Sequence, residues 1–197
     1  MRRASKSLSW AIMLKLLWGC SHTLVHEDGL TYGERQTQLQ TINDWKMNGR
    51  IVVETDAQAF QGRFQWQQSG NLMDLSIRGP FGANVLRVEG SPKKLIVYAQ
   101  GKNQELLDPE QELSDLLGWW LPVNSLKTWL VGLSDPAFPS KENIGSDSTL
   151  STLDQRLWTL NYDSYQLMDG IMIPKVINLS HNELKLRLIV DQWSYSS

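Results

Sequence analysis

The sequence predicts a mainly β domain in which consecutive antiparallel strands turn one apolar face toward a cover of short helices. Phe60, Gly62, Phe64 and Trp66 alternate with Gln61, Arg63, Gln65 and Gln67, and Met73, Leu75 and Ile77 alternate with Asp74, Ser76 and Arg78. A two-residue period places each set on one face of a strand. Leu184, Leu186, Leu188 and Val190 repeat the pattern near the C-terminus. Between these runs, Leu113, Leu116, Leu117 and Trp120, then Leu126, Trp129, Leu130 and Leu133, recur at helical spacing. The 197 residues are 41% hydrophobic, with nine tryptophans, and show no internal repeat. That length supports one core without staples.

In chain order, Glu34 to Met47 is helix-compatible, with Leu39, Ile42 and Trp45 near one face and Gly49 as its terminator. Ile51 to Val53 is a short strand. The two alternating strands follow, then Asn84 to Glu89 and, past the Ser91-Pro92 turn, Leu95 to Gln100. Together these read as an antiparallel meander. Asp108-Pro109-Glu110-Gln111 is a helix start, with Asp as cap, Pro at the first position and Gln three residues after the cap. Pro122 stops that helix and Asn124 can cap the next. Ser134 to Ser148 reads as a loop. Strands return at Arg156 to Tyr162, at Lys175 to Leu179 behind Ile173-Pro174, and at Leu184 to Asp191. The two amphipathic helices either plug the core of a sandwich or lie as a lid over an apolar cavity.

The N-terminus has a different character. Arg2, Arg3 and Lys6 precede an apolar run from Leu8 to Trp18, which is too short to span a bilayer. This is the layout of a secretory signal. The run ends Leu17-Trp18-Gly19-Cys20, at the only cysteine, and resembles the lipobox of bacterial lipoproteins. That resemblance implies cleavage of residues 1–19, a diacylglycerol on the Cys20 thiol and a further acyl chain, such as palmitate, on the new amine. Multiple chains anchor a protein stably, since each buried methylene contributes about 0.8 kcal/mol. Ser21, where inner-membrane lipoproteins carry aspartate, points to the outer membrane. Residues 20–33 read as a tether, and 34–197 as the single domain. His22 and His26 lie in that tether, where a metal site is not expected. An ordinary cleaved signal or a membrane-proximal buried helix is the plainer alternative.

Chemistry is sparse elsewhere. Without residues 1–19 the chain holds 15 basic against 21 acidic residues, a net −6, a poor balance for nucleic acid. It has no Gly-x-Ser-x-Gly elbow, phosphate loop or metal-ligand cluster, and His181 sits in an expected turn. No enzyme and no cofactor is expected; the excess of aromatic and aliphatic surface points to binding of something apolar. One turn stands out. Arg78-Gly79-Pro80-Phe81-Gly82 puts an aromatic where tips are normally polar. Phe81 either folds back onto the core or projects as an apolar finger.

Many short motifs, in order, resemble the LolB family of outer-membrane lipoproteins. They include Gly49-Arg50-Ile51, Phe64-Gln65-Trp66-Gln67-Gln68, Gly79-Pro80-Phe81-Gly82, Asn124-Ser125-Leu126, Trp129-Leu130-Val131-Gly132-Leu133 and Trp158-Thr159-Leu160-Asn161-Tyr162. The resemblance implies an incomplete antiparallel β-barrel of about 10–11 strands, covered by short α-helices around a hydrophobic cavity. It further implies a monomeric receptor, anchored through Cys20 at the periplasmic face of the outer membrane. Such a receptor accepts acylated lipoprotein cargo from a LolA-like carrier and releases it among outer-membrane phospholipids. Phe81, with Gly79, Pro80 and Gly82, matches the family's membrane-insertion loop, which usually carries leucine. Phe64, Trp66, Leu75, Ile77, Leu117, Trp120, Trp129 and Leu130 are the expected acyl-chain cavity. A soluble LolA-like carrier, or an assembly lipoprotein that binds protein partners, are the alternatives.

Overall fold

The computed structural model describes residues 30–182 and 184–196. The signal layout, Cys20, His22 and His26 lie outside the described residues. Thr31 opens α1 (Tyr32–Thr41) with a capping box. Its backbone N–H donates to Glu34 Oε2 at 2.9 Å, and the Glu34 N–H donates to Thr31 Oγ1 at 3.3 Å. Two strands and a hairpin partner follow: β1 (Asp44–Glu54), β2 (Ala59–Ser69) and β3 (Leu72–Arg78). After the turn come β4 (Asn84–Ser91), β5 (Lys94–Ala99) and β6 (Lys102–Leu106). Helices α2 (Pro109–Leu117) and α3 (Val123–Trp129) cross the sheet. The chain then lays down β7 (Ser140–Ile144), β8 (Leu150–Gln155), β9 (Trp158–Met168), β10 (Ile171–His181) and β11 (Leu184–Ser196).

All eleven strands belong to one antiparallel sheet in the order β6-β5-β4-β3-β2-β1-β11-β10-β9-β8-β7. β6 and β7 are its free edges, so the sheet curls without closing. The first and last strands meet in its middle, from Asp44 opposite Ser196 to Glu54 opposite Lys185. The mainly β class and the incomplete barrel expected from the sequence are therefore present.

Several expected boundaries move. The helix expected over Glu34 to Met47 stops at Thr41, and Trp45 and Met47 belong to β1. Trp45, Met47, Gly49 and Ile51 point inward at a two-residue period, and that pattern pairs with a neighbour on both sides. Two ladders of hydrogen bonds outweigh a marginal helical face. Gly49 is a point of close approach, because a Cβ there would lie 2.0 Å from the Ile189 carbonyl oxygen, beside a bulge in β11. At α2, Asp108 makes no side-chain cap; Glu112 Oε1 accepts instead from the Leu107 and Asp108 N–H groups, each at 2.8 Å. Gly118, at φ 82°, ends α2 four residues before Pro122 and donates to the Ser114 carbonyl. The expected loop at Ser134 to Ser148 contains β7, and β8 follows it before Arg156.

Candidate functional site

The inner face of the sheet and the helices enclose a cavity of about 110 Å³ whose lining is almost wholly apolar. Its wall comes from alternating inward positions on neighbouring strands: Ile51 and Val53 on β1, Phe64 and Trp66 on β2, Leu75 and Ile77 on β3 and Leu86 on β4. Leu179, Leu186 and Leu188 continue it across β10 and β11. Registers explain the grouping. Trp66 is the partner of Leu75 and Phe64 of Ile77, while Ile77 is the partner of Leu86. The roof is Leu117, Trp119, Leu121, Leu126 and Leu130.

Six of the eight expected cavity residues are thus together: Phe64, Trp66, Leu75, Ile77, Leu117 and Leu130. Trp120 and Trp129 are not among the lining residues. Because α2 ends at Gly118, the helical spacing that put Trp120 beside Leu117 no longer applies. Trp119 faces the cavity, and Trp120 lies under the Arg156 guanidinium, 5.3 Å from its ring centroid. Trp129 is fully buried; its indole N–H donates to Gln155 Oε1 at 2.7 Å, and its carbonyl accepts from the Tyr162 hydroxyl at 2.9 Å. It seats α3 on β8 and β9. Leu86, Leu186, Leu188 and Ile51 were open to sequence reasoning, since each shares the inward phase of its strand. Trp119 carried no such signal.

Polar contacts hold the roof down. Arg156, in the tight β8–β9 turn, grips Glu110 of α2 with two bonds of 2.9 and 2.6 Å. These side chains are only 11% and 16% exposed. Arg156 also donates to Ser125 Oγ at 3.0 Å, and Glu110 Oε1 accepts from the Asn124 N–H at 3.1 Å. One ion pair therefore ties both helices to the wall. Such a pair offsets much of its own desolvation, but losing either partner leaves a near-buried charge. At the other end of the roof, Arg35 of α1 is 2% exposed. It donates to the carbonyls of Val131, Gly132 and Met172 at 2.8–3.2 Å and lies over the Tyr165 ring. Burial lowers the Arg35 pKa from its usual value, though a guanidinium stays charged. Burial also holds the phenol of neighbouring Tyr162 well above its usual range.

Phe81 does not fold back. Its relative exposure is 108%, so the whole ring stands in solvent. It sits in a single 3-10 turn, Pro80–Gly82, at φ 60° and ψ 16°. For a bulky residue that left-handed conformation costs roughly 1–2 kcal/mol. Gly82 follows at φ 80°. The Gly79 N–H donates to the Ala83 carbonyl at 2.8 Å, closing the loop. A Cβ on Gly79 would come 3.2 Å from Val85, so the base of the turn is packed while its tip is bare. The Phe81, Pro80, Gly79 and Gly82 stretch is therefore a firm projection.

His181 stacks on Trp158, with ring centroids 5.3 Å apart. Its Nδ1 lies 2.8 Å from the Leu157 carbonyl oxygen and its Nε2 3.1 Å from Asn182 Nδ2. That is packing at a strand end, and among the described residues neither nitrogen is bonded to a carboxylate or a serine.

Comparison with known proteins agrees with this geometry. The profile of the family described as outer membrane lipoprotein LolB matches residues 43–193. Among curated relatives, "Outer-membrane lipoprotein LolB" of Nitrosococcus oceani is 33% identical over 165 residues, 83% of this chain and 82% of that one. The protein of the same name from Pseudomonas syringae is 29% identical over 92% of both chains. Among solved structures, a LolA superfamily protein from Nitrosomonas europaea superposes with a TM-score of 0.53 at 13% identity. That match covers 86% of this chain and 95% of the other, and shows the shared fold.

Proposed function

We propose that this chain, which belongs to the LolB family, is a receptor anchored at the periplasmic face of the outer membrane that takes lipoproteins from a LolA-like carrier. It holds their acyl chains between sheet and helices and passes them into the bilayer. The observation that carries this reading is the apolar cavity beneath a roof tied down by polar contacts. A hydrocarbon chain gains about 0.8 kcal/mol for each methylene removed from water, and a lining without polar groups offers it nothing to displace. At about 110 Å³ the cavity is smaller than ligand pockets of roughly 300–1,000 Å³. Acceptance therefore requires α2 and α3 to lift from the wall, and the open edges at β6 and β7 leave the barrel free to widen. A closed small barrel is filled by its own side chains.

No nucleotide-binding motif accompanies the cavity, so transfer runs downhill, from the carrier to a tighter site and on to the bilayer. Phe81 serves the second step. An aromatic ring bare of protein contacts is suited to the lipid interface, where apolar surface leaves water. Acylation of Cys20 keeps that ring beside the membrane. The Cys20 anchor also separates the receptor from a soluble carrier of the same fold.

The test is a transfer assay with Phe81→Glu. The variant should fold and accept cargo from the carrier at the parental level, yet deliver little of it to outer membranes. Normal delivery would end the proposed role of Phe81, and loss of acceptance would mean that the turn belongs to the cargo site. Cys20→Ala should yield a protein released from the membrane that still accepts cargo. A protein that copurifies with no acyl-bearing cargo in either form would instead be a protein-binding lipoprotein.

A further inference from the structure

On the outer face of the sheet, directly behind the Phe81 turn, three arginines stand in one row. Arg50 of β1 is the register partner of Arg63 of β2, and Arg63 is the partner of Arg78 of β3. Directly opposed residues in an antiparallel pair lie about 4.5–5.5 Å apart, and like charges there oppose folding. Arg50 is neutralised by Asp191 at 3.0 Å. The nearby carboxylates of Asp74 and Glu89 are both held by Arg87. Among the described residues, Arg63 and Arg78 make no ion pair, and both are exposed. The two guanidinium groups border a shallow cleft of about 190 Å³, joined by Asn48, Gln65 and Ser76, with no carboxylate in its lining. With Gly49 and Phe64 between them, these side chains present mostly hydrogen-bonding groups and positive charge, a combination suited to a phosphate.

Position says which phosphate. Arg78 is three residues before Phe81, so the two are separated by at most about 10 Å of chain. The headgroup layer on each side of a bilayer is roughly 5–7 Å deep. With the Phe81 ring at the hydrocarbon boundary, the long side chains of Arg78 and of Arg63 beside it have the headgroups within their reach. The chain without residues 1–19 is net −6, and an anionic surface repels it except at such a patch. We infer that the Arg63–Arg78 cleft binds the phosphate of an anionic phospholipid headgroup and so turns the Phe81 turn toward the bilayer. This rests on the reading of Phe81 as a membrane-inserting residue. The row supplies the orientation and the aromatic ring supplies the depth.

The chain from residue 20 onward, with Cys20→Ser and Ala83→Cys, carries one thiol for a polarity-sensitive fluorophore beside the turn. It is mixed with vesicles of phosphatidylcholine alone, or of phosphatidylcholine and phosphatidylglycerol. An arginine near an anionic surface changes partition by roughly fivefold, and two by about thirtyfold. The inserted fraction should therefore favour the phosphatidylglycerol vesicles by up to that factor, and high salt should remove the preference. Arg63→Gln with Arg78→Gln should abolish the preference while leaving insertion into neutral vesicles at the parental level. Circular dichroism should show those exposed strand positions still folded. A double variant that keeps the preference, or a parental preference indifferent to salt, overturns the inference. Phe81→Glu should stop insertion into both vesicle types. If it inserts like the parent, the underlying reading of Phe81 fails, whatever the arginines do.

Discussion

Strands β8 to β10 bury a run of inward leucines and isoleucines completely, whereas β3 and β4 leave Leu75, Ile77 and Leu86 only part covered. Leu150, Leu153, Leu160, Ile173 and Ile177 are 0% exposed, as is Trp129 of α3, which packs against that wall. Leu75, Ile77 and Leu86 follow the same alternation in the other half of the sheet, but they meet a gap roofed by Leu117 and Trp119. One half of the molecule is therefore a finished core and the other is a core with room left in it. The same helical cover crosses both. Where α3 meets the full half it is fixed by Trp129, Gln155 and Tyr162; where α2 crosses the spacious half it is held by the Glu110–Arg156 pair. This division lets part of the roof move while the fold stays intact.

The largest effect should come from emptying the full half. Trp129→Ala removes a fully buried ring and one of the two bonds to Gln155 Oε1, leaving that from the Asp135 N–H, at a cost of about 3–5 kcal/mol. Leu75→Ala, beside existing space, should cost about 1–2 kcal/mol, below the usual range for leucine truncation. Denaturant unfolding of the two variants measures the contrast, and equal losses would erase it. An effect smaller than that of Trp129→Ala is expected at the clasp. Glu110→Gln breaks a nearly buried pair and should lower stability by about 2 kcal/mol. Its sharper signature is hydrogen exchange, which should quicken in α2 and leave β8 to β10 unchanged.

Much of this arrangement was legible in the sequence, and the gaps have physical causes. β2, β3 and β11 each have one apolar and one polar face, so alternation marks them. β6 and β7 are edge strands, and their sequences KNQEL and SKENI expose nearly every side chain. Without a buried face there is no period to read. β8 buries Gln155 as well as Leu150 and Leu153, which breaks the apolar pattern. Trp120 was expected at the cavity because the helical spacing was carried past Leu117, and Gly118 ends α2 there through its left-handed conformation. The exposed state of Phe81 was one of two readings of the turn. Packing of Phe60 and Val85 around Gly79 leaves no space for the ring beneath it.

The smallest effect should appear at α1, beside the full half. The capping bonds from Thr31 hold the Glu34 carboxyl below its usual pKa. A carboxyl depressed in the folded state stabilises above its unfolded value, and that contribution disappears as pH falls through the lower, folded value. Acidification should fray the first turn of α1, read as faster amide exchange near Glu34, without loosening α2. Concerted loosening of both would mean that the two halves are not independent.

The central claim is that acyl chains enter the spacious half and no other. Uniform incorporation of photo-leucine leaves packing nearly unchanged and arms every leucine at once. The protein is loaded with an acylated lipoprotein from its carrier, irradiated and mapped by mass spectrometry. Acyl adducts should fall on Leu75, Leu86, Leu117 and Leu130, with none on Leu150, Leu153 or Leu160. Adducts concentrated on the second group, or spread evenly over both, would contradict the account.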